Sequence, residues 1–282
     1  FVDGWLADAG VRLHAVLAPV AVDGTCLSLR VLRPAAHDLA TLRSLGTLDA
    51  TSEAIVRAVL AARLAFVVSG GTGSGKTTIL GALLSAVDPA ERLLVVEDAE
   101  ELRPRHPHVV RLVSRPANIE GAGGVSLRDL VRQALRMRPD RLVVGEVRGA
   151  EVCDLLAALN TGHDGGAGTV HANSAREVPS RMEALAATGG LDRAALHSQL
   201  AAAVQVVLHM RRLPGGKRVL DVVGVFDRAD HRSTDHRSTD HRSTYQRSGL
   251  AVVRPVWIRG VGWAEGRTAL DELLRERGVG AP

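Results

Sequence analysis

Residues Gly70-Gly71-Thr72-Gly73-Ser74-Gly75-Lys76-Thr77 stand between the apolar run Leu64-Ala65-Phe66-Val67-Val68 and the helix-forming run Thr78-Ile79-Leu80-Gly81-Ala82-Leu83-Leu84. A buried strand, a glycine-rich turn and a helix in this order commit the chain to an α/β fold, with the strand's C-terminal end and the helix's N-terminal end meeting on one rim. The spacing is that of a Walker A loop. Its glycines let successive backbone N–H groups turn toward a phosphate, and the helix that Thr78 continues presents its positive end there. Lys76 is placed to reach the β- and γ-phosphates of a nucleotide, and the Thr77 hydroxyl to ligate Mg²⁺. The bland alternative, an ordinary turn, leaves the coincidence of strand, spacing, Lys-Thr pair and helix unexplained. The basic residues are almost all arginine, and the only other lysine is Lys217.

The chain's 282 residues with 46% hydrophobic content suffice for one large domain plus a smaller piece. Aromatics make up 2%, so Val, Leu and Ala build the core, as suits a mostly parallel sheet covered on both faces. Cys26 and Cys153 have no ligand spacing and read as reduced, buried thiols of a cytoplasmic protein. No apolar run approaches the roughly 18–20 residues that span a bilayer, so membrane association is expected through partners only. The formal charge is +4, but Arg and Asp/Glu are interspersed and few aromatics are available for stacking, so no direct nucleic-acid contact is expected.

Four pieces are expected. Residues 1–50 alternate polar and apolar around Val11–Val16 and Leu27–Leu32, reading as a hairpin from a truncated, mixed α+β N-terminal domain of a fragment. An amphipathic helix starting at Thr51-Ser52-Glu53-Ala54, with Ile55, Val59 and Leu60 on one stripe, opens a P-loop core over 51–226. Within it, strands are expected at 92–96, 109–113, 142–144, 168–171, 204–210 and 219–225, with helices at 127–135, 151–159 and 175–186 and another past Leu191. Residues 227–249 contain the repeated pentapeptide His-Arg-Ser-Thr-Asp, which has no apolar residue and reads as a disordered surface loop without a metal site. A C-terminal strand and helix close the chain over 250–282.

A second constellation is Arg138-Pro139-Asp140-Arg141-Leu142-Val143-Val144-Gly145-Glu146-Val147-Arg148. An apolar strand ending in a carboxylate fits a Walker B element, in which Glu146 orients a water for attack on the γ-phosphate, or holds the metal partly through water, and Arg148 pairs with a carboxylate or phosphate. The run Val95-Val96-Glu97-Asp98-Ala99-Glu100-Glu101 ends another strand in carboxylates. They either cap a turn or stand near Mg²⁺, and Glu97 and Glu101 are the candidates for the second role. Asn160-Thr161-Gly162-His163-Asp164-Gly165-Gly166-Ala167-Gly168-Thr169-Val170-His171-Ala172-Asn173-Ser174 places His163 and His171 around a glycine-rich turn, either as structural hydrogen-bonders or as sensors of the γ-phosphate.

In this order, the four segments resemble the motifs of the type II/type IV secretion ATPase superfamily. The last of them, with Arg115-Pro-Ala-Asn-Ile-Glu120, is most similar to the tight-adherence pilus branch. The resemblance implies a RecA-like P-loop ATPase using ATP and Mg²⁺, with Glu97 and Glu101 in the Asp box, Glu146 as Walker B glutamate and His163 and His171 in the His box. It also implies a homohexamer at the cytoplasmic face of the inner membrane, driving pilus assembly or secretion with platform proteins. A conjugation-type secretion ATPase and a nucleotide-binding subunit without turnover are the alternatives. Arg12, Arg30, Arg103, Arg105, Arg111 and Arg115 are candidates to reach a phosphate, including across a subunit boundary.

Overall fold

The computed structural model describes residues 1–6, 11–31, 37–118, 121–228 and 250–282; the pentapeptide repeat lies outside them. Two compact units emerge, Phe1–Ala35 and Ala36–Pro282. In the first, strands β1 (Val2–Leu6), β2 (Val11–Val16) and β3 (Cys26–Val31) form an antiparallel sheet in sequence order. The register Leu13↔Leu29 and Gly4↔Leu13 keeps the period-two apolar residues on one face. Cys26 is exposed and Cys153 half-buried, so the expectation of two buried thiols fails for Cys26.

The second unit begins with α1 (Leu39–Ser44), a six-residue helix too short to leave a periodic signature, and α2 (Ala50–Ala61). A reciprocal capping box starts α2: Asp49 Oδ1 accepts from the Ser52 N–H at 2.8 Å, and Ser52 Oγ accepts from the Asp49 N–H at 2.9 Å. There follow β4 (Phe66–Gly70), α3 (Lys76–Ser85), β5 (Leu93–Glu97), β6 (Val109–Val113), α4 (Leu127–Ala134), β7 (Arg141–Val144), α5 (Glu151–Leu159), β8 (Ala167–Val170), α6 (Val178–Thr188) and α7 (Arg193–Ala203). The chain closes with β9 (Val206–Arg212), β10 (Arg218–Arg228), β11 (Ala251–Ile258), β12 (Gly262–Trp263) and α8 (Arg267–Glu276). The helix read at 175–186 is a 3₁₀ turn, Ala175–Glu177, leading into α6, whose start is favoured by Pro179 in its first turn.

These strands form one sheet in the order β12-β11-β10-β9-β4-β8-β7-β5-β6. The six from β9 to β6 run parallel, and β10, β11 and β12 add antiparallel strands at one edge. Alternation along β4 sends Phe66 and Val68 into a core shared with α1, α2, α3 and α8, and Val67 into a second core under α4, α5, α6 and α7. This is an α/β fold with a mostly parallel sheet. It places the C-terminal ends of β4, β5, β7 and β8 on a single rim, where ligands of such sheets bind.

Candidate nucleotide site

Strand β4 ends at Gly70, whose φ of 147° belongs to glycine, and a Cβ there would lie 2.4 Å from the Met210 carbonyl on β9. The loop then closes on α3 through Gly75 as its left-handed cap, so Lys76 and Thr77 occupy the first turn of a helix whose amino end faces the rim. Lys76 is 8% exposed. Its Nζ donates to the carbonyls of Gly70 at 3.0 Å and Gly71 at 3.1 Å. Burial pulls its pKa below the ordinary lysine value, while Glu146 and Glu101 pull it back.

Around this ammonium the neighbouring strands deliver carboxylates. Thr77 Oγ1, from α3, donates to Glu101 Oε2 at 3.4 Å. Glu97, the last residue of β5, is 3% exposed. Its Oε1 accepts from the backbone N–H of Leu102 at 3.0 Å and of Glu101 at 3.2 Å. Burial outweighs those bonds and raises the Glu97 pKa to about 7. Glu97 is seated close against the next strand end, for a Cβ on Gly145 would come within 2.7 Å of its Cγ. Glu146 pairs with Arg148 through Oε2, and its Oε1 lies 2.5 Å from His171 Nε2. Arg148 also reaches Asp98 at 3.5 Å. His171, one residue past β8, sets its ring nitrogens 3.4 and 3.5 Å from Lys76 Nζ. Burial first and Lys76 second lower the His171 pKa, against the pull of Glu146.

The structure thus brings together Gly70–Thr77, Glu97, Glu101, Glu146, Arg148 and His171. It does not bring His163. That residue precedes β8, so it sits on the opposite rim of the sheet, where its Nδ1 bonds the Ala158 carbonyl at 3.1 Å beside the Arg141–Glu91 ion pair and the Gly165 turn. The expectation that both histidines face the phosphate is corrected: the parallel strand between them separates them. Of the arginine candidates, Arg103 and Arg111 are paired with Glu100, Arg105 donates its N–H to Ser85 Oγ, and Arg115 donates to the Gly123 carbonyl. Sequence reasoning missed Arg218, whose Nε donates to the Gly73 carbonyl at 2.9 Å.

The residues fit a nucleotide polyphosphate with Mg²⁺. Ser74 Oγ and Glu97 Oε2 are buried without a hydrogen-bond partner among the described residues, the state of polar atoms that a ligand satisfies. Among the described residues no group of three or more His, Cys, Asp or Glu has metal-binding geometry. Mg²⁺ is commonly held by one or two protein oxygens plus phosphates, and the Thr77 hydroxyl, with Glu146 through water, would supply those.

The model of the type II/IV secretion system protein family matches residues 6–259. The chain belongs to this family. A Mycobacterium tuberculosis (strain H37Rv) protein named for conjugal transfer is 59% identical over 282 residues, covering 98% of this chain and 75% of that one. The conjugal transfer protein TrbB of Rhizobium radiobacter is 32% identical over 230 residues, covering 79% of this chain and 67% of its own. The crystal structure of the VirB11 ATPase from the Brucella suis type IV secretion system, solved with sulphate, superposes with a TM-score of 0.54 at 25% identity, covering 79% of this chain and 72% of that one. Within the type II/IV secretion system family, the RecA-like core described above is the fold held in common.

Proposed function

We propose that the chain is an Mg²⁺-dependent ATPase, the motor subunit of a pilus or secretion machine, working as a homohexamer against membrane platform proteins on the cytoplasmic face. The observation that carries this reading is the convergence of Lys76, Thr77, Glu146 and His171 on one rim. There Lys76 and the loop amides neutralise charge on the β- and γ-phosphates. Glu146, held by Arg148 and His171, orients the attacking water and accepts its proton. Mg²⁺, when bound, neutralises charge developing between the β- and γ-phosphates.

Two cargoes are in play. The motif resemblance supports tight-adherence pilus assembly or the secretion related to it, and the names of the relatives favour a conjugation-type machine instead. A motor that completes its site across a subunit boundary gains rate on assembly, by roughly 10³ to 10⁵ where an arginine is supplied in trans. Specific ATPase activity should therefore rise with protein concentration, in step with the sedimentation of a six-subunit species. A concentration-independent rate from a monomer would refute the hexameric motor.

A further inference from the structure

Strand β9 runs parallel beside β4 with Met210 level with Gly70. At about 3.3 Å per residue, the two residues beyond Met210 carry the strand alongside the phosphate loop, and alternation returns Arg212 to the face that Met210 shares with α3. The chain then turns through Leu213-Pro214-Gly215-Gly216-Lys217, closed by the Leu213 N–H bonding the Lys217 carbonyl at 2.7 Å, and β10 sets Arg218 opposite Arg212. Arg218 Nε reaches the Gly73 carbonyl at 2.9 Å, and its Cδ lies 3.1 Å from where a Cβ on Gly75 would stand. Arg212 Nη1 lies 3.9 Å from the corresponding position on Gly73.

Arg211 is paired with Asp221 at 2.7 Å, whereas among the described residues Arg212 and Arg218 are in no ion pair. Both residues are exposed, and as a cross-strand pair flanking the phosphate loop they are placed to meet an anion bound there. The geometry points to Arg212 and Arg218 as same-chain ligands of the nucleotide's phosphate tail, a pair delivered by the β9–β10 hairpin. The inference rests on the ATPase reading and identifies residues that the motifs do not include. Both guanidinium groups carry a permanent positive charge, and it is this charge that the phosphate tail meets.

The test measures ADP and ATP affinity by calorimetry for the parent, for the double variant R212Q/R218Q and for R212K/R218K, with melting temperature as a check on folding. The glutamine pair should weaken both nucleotides about tenfold or more at unchanged melting temperature, and the lysine pair, which keeps the charge, should stay within about threefold of the parent. Affinities within twofold of the parent for both variants would overturn the inference and leave the ATPase reading standing. Equal losses in the two variants would overturn it too, since they would mark a clamp on the Gly73 carbonyl rather than a charge on the ligand. A parent that binds neither nucleotide would refute the ATPase reading and this inference together.

Discussion

The His171 ring meets the Glu146 carboxylate at 2.5 Å, with Nε2 facing Oε1. That contact keeps the ring against the carboxylate. Burial first and Lys76 second keep the His171 pKa below the ordinary imidazole value. His171→Ala should lower kcat by roughly 10- to 100-fold with ATP affinity nearly retained. The acid limb of the parent's pH profile should change in that variant. Unaltered kcat would remove His171 from the site.

His163 provides the contrast. It lies on the opposite rim of the sheet from the phosphate loop, where its Nδ1 bonds the Ala158 carbonyl near the end of the preceding helix. His163→Ala should leave kcat and KM within twofold of the parent. A loss comparable to that of His171→Ala would contradict the separation of the two residues by β8.

Glu146→Gln keeps the shape of the side chain and removes the base. Turnover should fall by roughly 10² or more while ATP still binds, giving a trapped complex on a filter-binding assay. Retained turnover would shift the catalytic role to Glu97 or Glu101.

Glu97 yields a pH prediction for the nucleotide-free protein. Its pKa rises on folding from 4.5 to about 7, so between those values the folded state holds a proton that the unfolded chain has released. Stability from this group is fully present below pH 4.5 and is lost as pH rises through 7, by up to about 3 kcal/mol. Measured in EDTA, the melting temperature of the parent relative to Glu97→Gln should drop between pH 5 and pH 8. Parallel profiles for the two proteins would show that Glu97 is ionised throughout.

Much of this was legible in local pattern. The Walker loop carries its own geometry, and the strands ending at Glu97 and Val144 are short apolar runs whose buried faces match their period. Helix α5 falls at Glu151–Leu159 as its pattern predicts. Long-range placement was not legible. Arg218 is 145 residues from the carbonyl it bonds, and nothing near it in sequence announces a phosphate loop. For His163 a signal did exist: residues before a parallel strand belong to the opposite rim from those after it, so Ala167–Val170 already divides the two histidines. Spacing along the chain hid that division.

The rim around Lys76 is expected to hydrolyse ATP. Lys76 is the cation buried in the phosphate loop, and losing it removes a charge-assisted contact to the β- and γ-phosphates in a site shielded from water. Steady-state phosphate release from Mg-ATP is the direct measurement, made on the parent and on Lys76→Ala at equal concentration. The parent should turn over and Lys76→Ala should fall to background with its fold intact by circular dichroism. Lys76→Ala activity within a few fold of the parent would contradict the account.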